Sequence, residues 1–138
     1  MGLGQPEITL LTQQRQILML GEVNSQMQEM VCTTLLLLNA QSEALITLCF
    51  DSGGGSLLLA MYIYDAIKHS KAPVHGLVTV TAQSAAFDVL QACTRRLAYP
   101  NATLMTHSVE IRVRVNRPDF DEHVRKMREQ EKSLFEQP

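Results

Sequence analysis

The sequence has 138 residues, of which 46% are hydrophobic and 19% charged, and its formal net charge is -2. That bounds it to one domain with a single moderate core and excludes a disordered chain. Lys and Arg number 12 against 14 Asp and Glu, so no broad positive field marks nucleic acid as a partner. No segment approaches the roughly 18 uninterrupted apolar residues of a membrane span, and no basic-then-apolar leader opens the chain. Cys32, Cys49 and Cys93 form no CxxC pair. They read as reduced, mostly buried thiols in a cytoplasmic protein, with no metal site.

Taken in chain order, Gln16 to Gly21 is a short apolar run closed by glycine, which predicts a buried strand. Ser25 with Gln28 three residues on suggests a capping box, and Met27, Met30, Val31, Thr34, Leu35 and Leu38 recur at helical spacing. A helix over Ser25 to Ala40 follows. Ala44 to Phe50 predicts a second buried strand, ending at Asp51 in a sharp turn through Gly53, Gly54 and Gly55. The next helix presents Leu57, Ala60, Met61, Tyr64 and Ile67 and is ended by Pro73.

Val74 to Thr81 predicts a third strand, Ser84 to Cys93 a helix, and Arg96 to Tyr99 a short fourth strand. Leu104, Met105 and Thr106 lead into His107. The repeated β-α order argues for an α/β fold with a mainly parallel sheet and right-handed crossovers. Ile111, Val113 and Val115 alternate with polar residues, and Pro118 opens a polar helix with a thin stripe of Phe120, Val124 and Met127. This late strand-helix pair reads either as a protruding element that packs on a partner or as an ordinary surface helix.

Three features could carry chemistry. The triple glycine before a helix offers unhindered backbone N–H groups for an oxyanion or a phosphate, or is simply a turn. It is not a Walker A loop, because no Lys-Ser/Thr follows. Ser84 stands where a strand gives way to a helix, the end of a parallel strand at which sites gather, or else it only caps that helix. His107 follows the next strand and is open to a structural reading too. Together they supply what acyl transfer requires: a hydroxyl nucleophile, a base for its proton, and N–H donors for the tetrahedral oxyanion.

The run Asp51-Ser52-Gly53-Gly54-Gly55-Ser56, then Ala82-Gln83-Ser84-Ala85-Ala86, then Tyr99-Pro100-Asn101 through Met105-Thr106-His107, resembles the proteolytic subunits of the Clp protease. The third motif is the most specific, and the likeness runs from about Arg15 to the last helix. It implies a serine peptidase subunit of ClpP/crotonase-like fold in one domain over 1–138. Residues 1–14 would form a short N-terminal segment and 108–138 a handle strand and helix. On this mapping Ser84 is the nucleophile, His107 the base, Gly55 and Ala85 the oxyanion donors, and Gly54 shapes the turn. Ile111, Val113 and Val115 would lie on the handle strand, beside the substrate and the opposite ring. The implied partners are a peptide or unfolded protein and further copies of the chain in stacked rings. Neither cofactor nor metal is implied.

The sequence departs from the family pattern in four places. The family's third triad member, an aspartate, lies beyond the handle helix, and the sequence ends at Pro138 before reaching it. Such a carboxylate orients the histidine, so a catalytically impaired or truncated ring subunit is the alternative expectation. Gly53 replaces a proline, Ala85-Ala86 replaces Met-Gly, and the stretch from Ser84 to His107 is about two residues short, with Asp88 at an apolar position. Few residues precede Arg15, so docking to an ATPase unfoldase is not expected. A crotonase relative that handles acyl-CoA shares the fold but needs no Ser-His pair here. With His107 as base, activity should rise with pH through about 6 to 7.5.

Overall fold

The structure is a computed structural model, and it describes residue 4, residues 10–106, and residues 125 and 129. The chain divides into two units, 1–106 and 107–138. In the second, Arg125 and Glu129 are helical and joined by an exposed ion pair of 2.6 Å. The remainder of the expected handle lies outside the described residues.

The first unit runs β1 (Gln16–Val23), α1 (Ser25–Gln41), β2 (Ile46–Gly55), α2 (Leu57–Lys68), β3 (Val74–Gln83), α3 (Ala85–Leu90), β4 (Arg95–Ala98) and β5 (Thr103–Met105). The sheet order is β1-β2-β3-β4, and β5 pairs with β3 as well. Every pairing is parallel, as the alternation of strands and helices predicts. β4 takes residues 75–78 of β3 and β5 takes 81–83, so the two short strands follow one another along a single edge.

Alternate strand residues bury one face, with Ile17 and Met19 on β1, Leu48 and Phe50 on β2, and Val74 and Val78 on β3. Met27, Val31, Leu35 and Leu38 of α1 supply the opposing layer, together with Ala60, Ile63, Tyr64 and Ile67 of α2. Helix α1 packs on β1 and α2, and α3 packs on α2, β2 and β3. Removing such a set of apolar side chains from water is the main stabilising term, roughly 1.5–3 kcal/mol for each large one.

Several expected boundaries shift. Strand β1 does not stop at Gly21 but passes through a bulge there to Val23. The N-cap of α1 is Asn24 rather than Ser25, its side chain accepting from the Met27 N–H at 3.0 Å. Helix α2 buries Ile63 instead of Leu57 or Met61 and ends at Lys68, ahead of Pro73. Helix α3 is shorter than Ser84 to Cys93, because Thr94 N–H is drawn to the Val74 carbonyl at 2.8 Å and turns the chain into β4. The cysteines are less hidden than expected, since only Cys93 is buried while Cys32 and Cys49 are half-buried.

Two polar side chains fasten the first unit. Arg15, at φ 58, sends its guanidinium to the carbonyls of Leu38, Ser42 and Ala44 at 2.9–3.1 Å. Those carbonyls are at and just beyond the negative end of α1, where a cation is favourable. Asn39 of α1 accepts from the Lys71 and Ala72 N–H groups at 2.8 and 2.9 Å and donates to Ser70 Oγ and the Leu35 carbonyl. It thereby holds the α2–β3 connection against α1.

Candidate active site

Strand β3 delivers Ser84 into the turn before α3 with φ 54 and ψ -124. A non-glycine residue on this side of φ space costs on the order of 1–3 kcal/mol and persists only where its surroundings enforce it. The enforcing contacts are visible. Ser84 N–H donates to the Met105 carbonyl at 2.9 Å, and the Ser84 carbonyl accepts from Asp88 N–H at 3.2 Å. Although Ser84 is the N-cap residue, its hydroxyl makes no capping hydrogen bond. An ordinary N-cap serine uses its oxygen in that way, so the plain capping reading fails here. A serine at a sharp, strained turn between strand and helix is the geometry that presents a hydroxyl for attack.

The glycine turn was expected to begin where β2 ended, yet β2 runs through all three glycines to Gly55. Gly54 is buried at φ +98, and a Cβ there would stand 2.9 Å from Ser84 Cβ and 3.1 Å from Ala85 N. Only a residue without a side chain lets this backbone approach the serine turn so closely. The Gly54 N–H is already engaged, donating to Ser52 Oγ at 3.2 Å. Gly55, by contrast, is exposed, and the following helix is capped by Ser56 Oγ, which accepts from Leu59 N–H at 3.3 Å. Gly54, Ser84 and Ala85 therefore come together around one point, with Gly55 next in the chain.

His107, Ile111, Val113 and Val115 lie outside the described residues. The chain reaches Thr106 directly from β5, whose last residue, Met105, is the one bonded to Ser84. Among the described residues no group of three or more His, Cys, Asp or Glu side chains comes together to hold a metal ion. A groove of about 350 Å³ lies elsewhere, at the β1 edge, walled by Leu11, Leu18, Leu20, Met27 and Met30 among others.

Two residues were given no role by sequence reasoning. Ser52 and Asp88 are the buried polar and charged residues of the described region, at 1% and 4% exposure. A carboxylate buried to this degree requires a polar or charged partner, and Asp88 is engaged in such an interaction. Ser52 is marked in the sequence only by preceding three glycines.

A family model for Clp protease matches residues 5–137, so the chain belongs to the Clp protease family. An ATP-dependent Clp protease proteolytic subunit of Deinococcus radiodurans is 33% identical over 102 residues, covering 72% of this chain and 50% of that protein. The corresponding protein of Ligilactobacillus salivarius is 37% identical over 100 residues, covering 70% and 51%. The chain thus spans about half the length of the curated relatives it matches. Among solved structures, a ClpP1 mutant from Listeria monocytogenes superposes with a TM-score of 0.76 at 27% identity, over 90% of this chain and 70% of that one.

Proposed function

We propose that the chain is a serine-type endopeptidase subunit that hydrolyses peptide bonds through an acyl-enzyme. The observation that carries this reading is Ser84 itself, which stands in a strained strand-to-helix turn with its hydroxyl withheld from the capping bond and the Gly54 backbone packed against it. Membership of the Clp protease family supplies the reaction class.

In this mechanism His107 takes the Ser84 proton as Oγ attacks the peptide carbonyl. The oxyanion of the tetrahedral intermediate is met by the N–H groups of Gly55 and Ala85, the second of which begins α3. His107 then returns the proton to the leaving amine, and water repeats the sequence in reverse to free the enzyme. The substrate is an extended peptide or unfolded protein lying beside Ile111, Val113 and Val115. Copies of the chain assemble through the handle into stacked rings; the relatives' names, which call them proteolytic subunits, support only that the protein works as part of an assembly.

The test is labelling of the purified protein with a fluorophosphonate, mapped by mass. An adduct on Ser84 that is lost in His107→Ala is expected. A folded protein that takes no adduct would instead be a structural subunit.

A further inference from the structure

We infer that Ser52 is a positioning residue for the oxyanion-binding turn, a role that rests on the reading of Ser84 as nucleophile. The β1–β2 ladder passes from Leu20 opposite Asp51 to Glu22 opposite Gly54, skipping Gly21 on one strand and Ser52 and Gly53 on the other. The skipped segments face each other. Ser52 Oγ bridges them, donating to the Gly21 carbonyl at 2.6 Å and accepting from Gly54 N–H at 3.2 Å. One buried hydroxyl thus serves polar backbone groups on both strands at the point where the regular ladder is broken.

The consequence concerns which amide is offered to substrate. Successive N–H groups along an extended strand point to opposite sides. The Gly54 N–H is tied to Ser52 and the Ser56 N–H to the Val23 carbonyl of β1 at 3.0 Å, so the donor of exposed Gly55 between them is the one directed to the opposite side. Because Gly54 also abuts Ser84 Cβ and Ala85 N, any slackening of the turn changes the spacing between the Gly55 and Ala85 donors. Misplacement by about 1 Å is enough to cost on the order of 100-fold in rate.

The fluorophosphonate labelling rate and peptide kinetics of the full chain test this. Ser52→Ala should label Ser84 at least about 10-fold more slowly and lower kcat with little change in KM, whereas Ser52→Thr, which keeps the hydroxyl, should recover much of the loss. Gly21→Ala addresses the same link from the other end: nothing lies within 4 Å of the added carbon, but the φ of +85 is strained for alanine. It should also slow labelling, and the double variant should be no slower than the slower single one. A folded Ser52→Ala protein that labels at the wild-type rate overturns the role of Ser52 alone, as do two effects that simply multiply. Absence of a Ser84 adduct in the wild type overturns the reading of the site itself, and the role of Ser52 with it.

Discussion

Gly54 lies so close to Ser84 that a methyl group on its Cα would stand 2.9 Å from the Ser84 Cβ and 2.8 Å from the Gln83 carbonyl oxygen. Both obstacles belong to backbone or to a short side chain, and neither can swing aside. Gly54→Ala should therefore cost about 2–5 kcal/mol, combining overpacking with an alanine held at φ +98. Urea unfolding would show a lower midpoint at an unchanged slope. The surviving folded fraction should label more slowly at Ser84.

Arg15 is expected to stabilise through geometry that lysine cannot copy. Its fork reaches three carbonyls of the α1 end and the connection beyond it. Because most of these bonds are exposed to water, Arg15→Ala should cost only about 1–3 kcal/mol by urea unfolding. Arg15→Lys should recover less than half of that, since one ammonium cannot span the same acceptors.

At Asn39 both halves of the amide are used. Asn39→Asp keeps the acceptor for the Lys71 and Ala72 N–H groups but loses the donor to Leu35 and Ser70. Asn39→Ala removes both and should cost about 2–3 kcal/mol, with Asn39→Asp falling between it and the wild type. Faster amide hydrogen exchange at Lys71 and Ala72 in the alanine variant would locate the effect.

Burial pushes the Cys93 thiol from 9.0 up to about 12, with the Arg96 charge opposing the shift. Above pH 9 the unfolded chain releases this proton while the folded chain retains it. Folding stability is thus unaffected by Cys93 below pH 9 and falls progressively as the pH rises from 9 towards 12. Cys93→Ala should flatten the alkaline limb of a stability-against-pH curve measured by urea unfolding. Cys93 should also be the slowest of the three thiols to alkylate, as burial raises Cys32 and Cys49 too but leaves both half-buried.

The element order and the parallel sheet were legible because apolar runs, glycine closures and helical spacing all agree along residues 16–106. What escaped was set by contacts remote in sequence. Asn24 and Ser25 are both good caps, and nothing local tells which one the chain uses. The length of α3 is decided by the Val74 carbonyl, far back on β3. The first two motifs set the glycine run beside Ser84, and Gly54 does lie against it, but the strained φ of Ser84 leaves no mark in residue type. Burial of Asp88 runs against its polarity, so periodicity passes it over, and only the family likeness, which sets it at an apolar position, marks it. Ser52 was hidden for a different reason: its partners come from a bulge on β1 that only strand pairing reveals.

Strand β5 hangs on β3 beside the Ser84 turn, and its last carbonyl is the acceptor for Ser84 N–H. During synthesis the ribosome makes β1, β2 and β3, and even α3, well before Met105 exists. Until that residue emerges, the backbone of Ser84 lacks the bond that helps hold it in its strained conformation. The last constraint on Ser84 is thus supplied by a strand that follows it in sequence, so the turn reaches its final shape only after β5 has been made and has docked on β3.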